Sequence, residues 1–285
     1  MVEDDFFIER RICIVGLGLM GGSLALALQG YCQAVIGVDP DLETLELALK
    51  QKAIQVATPN ISEAITQADL IILAAPVRAN LKLLEEIPRF CPGPLSILDL
   101  SSTKSEIVEA MNRLPKGFSA LGGHPMCGKE TSGYLHAEAK LFWDATFVLT
   151  KTHNSSPELI NLAGKIIAII GAKPFWLDPA THDRWAAATS HLPYLISSAL
   201  MISTPREETS LIGPGFLSTS RLAASDVVMM MDILLTNREQ VLRALSQYRK
   251  AIVQIDDLLQ NSPDELRSLL LEARLKREKI VKRDT

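Results

Sequence analysis

Short apolar runs alternate with longer stretches whose apolar residues recur at helical spacing through the first half of the chain. Arg11–Val15, Ala34–Val38, Leu70–Ala74, Leu95–Leu98 and Ser119–Gly122 read as strands, and Met20–Leu28, Asp41–Lys50 and Val77–Ile87 as helices. Strands separated by helices of that length imply crossover connections and therefore a parallel sheet. A further helix is expected to start at Thr103, where Thr103-Lys104-Ser105-Glu106 has the form of a capping box. Phe147–Thr150 is expected to be the last strand of this part, and the polar turn formers of His153–Pro157 are the expected linker. Beyond it Glu158–Ile170 reads as a helix and Pro174–Leu177 as a short extended piece. From Pro179 onward nearly everything is helical, with breaks at Thr204-Pro205, Gly213-Pro214-Gly215 and Ser262-Pro263. The expected architecture is α/β: an N-terminal Rossmann-type, doubly wound, mostly parallel sheet over 1–153, then an all-helical C-terminal domain over 154–285. The dense apolar positions of Val227–Leu235 and Val241–Leu259 suit helices packed on one another or on a second subunit, so a homodimer is expected.

Composition narrows the class. A hydrophobic share of 47% with 22% charged residues belongs to an ordinary globular protein. The net charge of -4 leaves no broad basic field for phosphates, which argues against nucleic acid as a partner. The basic tail, Arg274 to Arg283, is interspersed with Glu and apolar residues and reads as a solvated helix end. Cys13, Cys32, Cys91 and Cys127 are too scattered for a metal site or a disulfide framework. The acidic start at Met1 reaches a core strand by Ile12, which leaves no room for a signal peptide, and no apolar run is long enough to span a membrane. A cytoplasmic protein is expected.

Gly16-Leu17-Gly18-Leu19-Met20-Gly21 follows the first strand and opens a helix, the context in which this glycine spacing binds a dinucleotide pyrophosphate. The helix start offers unpaired N–H groups to the anion. Asp39, 18 positions after Gly21 at the end of the second strand, is placed to bind the adenosine ribose hydroxyls. Its charge favours NAD and repels the 2'-phosphate of NADP; no Arg follows it to reverse that preference.

Three further segments fall at carboxyl ends of strands and should converge on the cofactor crevice: Ala74-Ala75-Pro76, Asp99-Leu100-Ser101-Ser102 and Gly123-His124-Pro125. Ala75, Pro76 and Ser101 are therefore expected at the cofactor. His124 is the one side chain of the set that ordinarily titrates near neutrality, which makes it the candidate base. It stands among Gly122, Gly123 and Gly128, a short backbone that a ligand can approach. Ser102 is expected either to fix the tautomer of His124 or to hold the substrate oxygen.

These segments, with Ser23, Ser132-Gly133, Leu141-Phe142, His182-Asp183, Ser190-His191-Leu192-Pro193, Gly215-Phe216 and Ser220-Arg221, run in order over about residues 11–235 and resemble the prephenate and arogenate dehydrogenase family of tyrosine biosynthesis. The resemblance implies oxidative decarboxylation of a cyclohexadienol, prephenate or arogenate. His124 would take the C4 hydroxyl proton as hydride leaves C4 for the nicotinamide, with Ser102 in the same relay. It further implies that Arg221 grips a substrate carboxylate and that Glu130 stands at the active-site mouth, where its charge would favour the ammonium of arogenate. His191 and Tyr194, three residues apart, would line the pocket from the second domain; family members often carry histidine where Tyr194 stands and alanine where Cys127 stands. His182 is expected to be structural, at a domain junction. No fused mutase or regulatory domain is expected. Two other readings remain open from the residues: a two-domain dehydrogenase of the β-hydroxy acid type, which would leave Gly-His-Pro-Met unexplained, and a cofactor-binding sensor in which His124 has no chemical role.

Overall fold

The computed structural model describes residues 6–205 and 211–281. The acidic start at Met1–Asp5 and the last basic residues of the tail, Lys282 and Arg283, lie outside the described residues. By compactness the chain divides into two units, 1–238 and 239–285.

In the first unit eight strands form one sheet: β1 (Ile8–Val15), β2 (Cys32–Val38), β3 (Val56–Thr58), β4 (Leu70–Leu73), β5 (Leu95–Asp99), β6 (Phe118–Pro125), β7 (Thr146–Lys151) and β8 (Lys173–Trp176). Their order is β3-β2-β1-β4-β5-β6-β7-β8. All neighbours are parallel except β6 and β7, which run antiparallel. The chain reverses its direction of travel between β1 and β4, and the carboxyl ends on either side of that point open a crevice for a ligand.

Alternate residues of each strand feed opposite faces, as the pleat requires. Ile12 and Ile14 pack with α1 (Leu19–Ala27), α2 (Leu42–Lys50) and α6 (Pro157–Ile169). Cys13 and Val15 pack on the other face with α3 (Ile61–Ile65), α4 (Val77–Phe90) and α5 (Ser105–Asn112). Both faces are thus covered, which is why the strands read as continuous apolar runs.

The sheet extends past residue 153. His153–Pro157 is a tight turn in which the His153 amide donates to Asn112 and Ser156 caps α6, and β8 then pairs with β7. Glu158–Ile170 and Pro174–Leu177, expected in the second domain, therefore belong to the sheet and its covering layer. The short β3 and α3 lack a sequence pattern long enough to be seen.

The helices that follow are α7 (Pro179–Ala186), a wide π-type turn over Ala187–His191, α8 (Leu192–Ser203), α9 (Pro214–Ser220), a short 3-10 turn over Arg221–Ala224 and α10 (Val227–Thr236). The wide turn precedes Pro193, which offers no N–H to the preceding turn. On α10, Met230 and Ile233 join the core on the α4 side of the sheet. The second unit holds most of α11 (Arg238–Asn261) and all of α12 (Pro263–Val281). Among the described residues no helix is long and apolar enough to cross a membrane.

Candidate active site

The glycine turn between β1 and α1 is shaped by close approach. Gly16 has φ +90, and a Cβ there would meet the Ala75 nitrogen at 2.7 Å. A Cβ on Gly21 would meet the Gly16 carbonyl oxygen at 1.9 Å, so helix and strand pack through hydrogen alone. At Gly18 a Cβ would meet nothing within 4 Å. Gly18 is also the N-cap of α1; the helix has no side-chain cap and no acidic residue in its first turn. Orphan N–H groups beside open space suit an anion. Leu17, fully buried, sends its side chain into the core while its N–H donates to Asp39 Oδ2 at 2.8 Å. Asp39 Oδ1 accepts from the Asp41 amide at 3.0 Å, and Asp41 caps α2. Asp39 is thus held at the crevice by two backbone donors, with lone pairs to spare for ribose hydroxyls. Leu19 and Met20 are half-buried in the first turn of α1, and Ala75 and Pro76 stand half-buried and exposed at the end of β4. These residues and Asp39 fit a dinucleotide.

Ser101, at the end of β5, is engaged within the protein. Its hydroxyl is buried, donating to Asp99 at 2.5 Å and accepting from Asn80 Nδ2 at 2.9 Å, so the side chain ties the end of β5 to α4.

His124, at the carboxyl end of β6, points its Nδ1 at His182 Nε2, 2.8 Å away. The rings meet edge to face, with an interplanar angle of 67°. His182, on α7 and 2% exposed, was expected to be structural; it is the direct partner of the candidate base. Its other nitrogen, Nδ1, lies 2.8 Å from Asp183 Oδ1. Burial opposes the charge on Asp183, but hydrogen bonds from His182, Ser105 and the Lys104 amide outweigh it and hold the carboxyl below its ordinary range. Burial, then the neighbouring His182, Lys104 and His191, push His124 well below 6.5, so its imidazole is uncharged at neutral pH.

The glycines beside His124 serve packing. A Cβ on Gly123 would meet the Asp99 carbonyl oxygen at 2.6 Å, and one on Gly122 would meet Thr150 Oγ1 at 2.4 Å. Their smallness seats β6 between its neighbours, and ligand approach does not explain them. Beneath them Lys104 is fully buried: its ammonium is ion-paired with Asp99 and donates to the Gly123 carbonyl at 2.7 Å. Desolvation depresses the lysine pKa while Asp99 pushes it back up. The start of α5 also departs from the expected capping box. Thr103 is fully buried, with Oγ1 3.0 Å from Thr236 Oγ1, and the helix is capped from outside by Asp183, which accepts from the amides of Lys104 at 2.7 Å and Ser105 at 2.8 Å.

His191, the last residue of the wide turn, is buried, and its Nδ1 lies 3.3 Å from Asn237 Nδ2. Asn237 also donates to the Asp183 carbonyl at 2.7 Å, which fixes which end of its amide faces His191. Burial lowers the His191 pKa to about 4. Tyr194 packs against the apolar cluster on the α4 side of the sheet. Arg221, in the 3-10 turn after α9, is ion-paired with Glu130 of the loop after β6. Ser102 is half-buried after β5 and makes no side-chain hydrogen bond among the described residues; His182 occupies the tautomer-fixing place considered for it. No pattern linked His182 and Asp183 to His124 across 58 residues of chain, nor marked Asn237; only the fold brings them together. A groove of about 1030 Å³ at the amino ends of the strands, lined in part by Arg10, Asp69, Ser96, Ser119 and Lys165, contains none of these residues.

Comparison with known proteins adds the following. The family described as prephenate dehydrogenase, nucleotide-binding domain, matches residues 24–175, beginning just after the glycine turn, and that described as prephenate dehydrogenase, dimerization domain, matches 178–272. A prephenate dehydrogenase of Lactococcus lactis is 33% identical over 255 residues, 86% of this chain and 70% of the relative. The crystal structure of prephenate dehydrogenase from A. aeolicus in complex with hydroxyphenyl propionate and NAD+ superposes with TM-score 0.86 at 28% identity, covering 95% of this chain and 98% of the other. Synechocystis arogenate dehydrogenase superposes with TM-score 0.79 at 31% identity over 95% of this chain and 99% of the other.

Proposed function

Because the chain belongs to the prephenate dehydrogenase family, we propose that it catalyses the oxidative decarboxylation of prephenate to 4-hydroxyphenylpyruvate, with NAD as hydride acceptor and His124 as base. The observation that carries this reading is His124 itself: an uncharged imidazole at the carboxyl end of β6 whose Nδ1 is already engaged, which leaves Nε2 to receive a proton. Bound at the glycine turn, the dinucleotide supplies a hydride acceptor. The start of α1 holds its pyrophosphate and Asp39 its ribose, and that carboxylate disfavours a 2'-phosphate. His124 Nε2 takes the proton of the ring hydroxyl as hydride departs from the same carbon; the ring carboxylate leaves as CO2 and the ring becomes aromatic. Ser102, half-buried beside the crevice, hydrogen-bonds the same oxygen. His191 lines the pocket as an uncharged group.

Arg221 grips a carboxylate of the substrate bidentately, in competition with Glu130. That ion pair also bears on the choice of substrate. While Arg221 stays on Glu130 the two charges cancel, and once Arg221 turns to the substrate a free Glu130 would favour the ammonium of arogenate; prephenate is the substrate we favour on the matched family and its Lactococcus lactis relative. The exposed apolar side chains of α10, α11 and α12 support a homodimer.

The test is NADH or NADPH formation with prephenate and with arogenate, each against NAD and NADP. Turnover with prephenate and NAD is the expected result. Turnover only with arogenate reverses the substrate assignment, and failure with all four pairs overturns the function.

A further inference from the structure

We infer that His182 and Asp183 form a proton relay behind the base, in which His182 holds His124 as the Nδ1–H tautomer and takes over that proton when His124 Nε2 receives one from the substrate. The inference rests on the reading of His124 as the base, and it gives a chemical task to a histidine and a carboxylate that the reaction scheme above does not use.

The polarity of the line follows from its far end. Asp183 accepts two backbone N–H bonds, from Lys104 at 2.7 Å and Ser105 at 2.8 Å, at the start of α5. Those donors cannot turn away, and the helix start favours an anion there. A carboxylate held ionised can only accept, so the proton in the 2.8 Å contact with His182 sits on His182 Nδ1. With its one ring hydrogen on Nδ1, His182 presents a lone pair at Nε2 in the relay's resting state, and the 2.8 Å contact with His124 then requires the hydrogen on His124 Nδ1. The lone pair of His124 is then on Nε2, the nitrogen the reaction needs.

Electrostatics supply the direction of transfer. The groups that face the two rings are Lys104 from α5, His191 from the wide turn, Asp183 beside His182 on α7, and Asp99 of β5 through its pair with Lys104. A positive charge left on His124 would stand near the Lys104 ammonium; moved one ring back, it stands against the Asp183 carboxylate. The step balances: the substrate O–H bond breaks and an N–H bond forms at His124 Nε2, while the N–H bond at His124 Nδ1 breaks and one forms at His182 Nε2. The electron pair of the O–H bond closes the C=O as hydride leaves for NAD.

Nitrogen-15 NMR of the ligand-free protein reads the tautomers without turnover. At neutral pH both His124 and His182 should carry hydrogen on Nδ1 alone. On acidification the first proton should make His182 doubly protonated and switch His124 to the Nε2–H tautomer. His124 observed as Nε2–H at neutral pH, or His124 becoming doubly protonated first, overturns the relay. His182→Gln keeps an acceptor near the Nε2 position but cannot take a proton. It should retain the His124 tautomer and NAD affinity, lower kcat about ten-fold and move the acid limb of kcat to lower pH, whereas His182→Phe should lose the single tautomer and about a hundred-fold in kcat. A His182→Gln enzyme with the kcat and pH profile of the parent sinks the transfer step. Wild-type inactivity with every substrate pair would instead refute the functional reading, and the tautomer measurements would still decide the relay's polarity and direction.

Discussion

His124 and His191 are both buried histidines, yet their partners give them opposite faces. His124 receives no donor at Nδ1 and keeps its proton there, whereas Asn237 donates to His191 Nδ1, which leaves the proton of His191 on Nε2. At Nε2 one ring is left with a lone pair and the other with an N–H. For His124→Asn we expect kcat/KM to fall by about 10² to 10⁴ with NAD affinity retained, measured by initial rates and calorimetric titration; unchanged turnover would remove it as the base. His191 also carries a stability consequence. Its folded pKa of about 4 lies below the unfolded value of 6.5, so below pH 6.5 the unfolded chain binds the extra proton. Its share of stability is intact above 6.5 and is lost as pH falls toward 4. The thermal midpoint should drop through that window, and His191→Gln should flatten the drop, as followed by circular dichroism.

Helix starts show how far local signals reach. The start of α1 is left without a side-chain cap, as its glycines lead one to expect, because everything that shapes it lies within a few residues of sequence. The start of α5 reads wrongly. Thr103 and Glu106 have the spacing of a capping box, but Thr103 is buried against Thr236 and the cap comes from Asp183, 78 residues beyond Ser105. A tertiary partner displaced a local one, which no spacing rule detects. The two glycines of the α1 turn should part in their effects. Gly21→Ala puts a methyl on the Gly16 carbonyl and should cost about 1–3 kcal/mol of stability. Gly18→Ala meets only open space and should leave the thermal midpoint unmoved while weakening NAD binding about ten-fold, roughly 1.4 kcal/mol. Equal loss of stability in both variants would contradict this assignment.

For the whole molecule, the exposed apolar residues gather in the later helices. On α11, Val253 and Leu259 are 66% and 64% exposed, and on α12 Leu270, Leu271 and Leu275 are all about half exposed or more. Such faces are costly in water and suit burial in a symmetric partner. Sedimentation velocity at micromolar concentration should find a dimer. Val253→Asp, at a position the single chain leaves in solvent, should yield folded monomer; a parent protein that sediments only as monomer would refute the dimer.

The sheet, its doubly wound character, the glycine turn with Asp39 beside it, and the place of His124 at the end of a strand were all legible in the chain, because each rests on short-range periodicity or on spacing within one strand-turn-helix unit. Where the sheet ends was not, since β8 is four exposed residues whose strand character comes from pairing with β7. Nor was the purpose of Gly122 and Gly123, which depends on how near β5 and β7 lie. The His182 and Asp183 partnership with the base, the hydrogen bond of Asn80 to Ser101 and the pairing of Glu130 with Arg221 all join residues distant in sequence. Local chemistry determined which groups this protein possesses; the packing of α7 and the start of α5 against the end of β6 decided which of them share a proton.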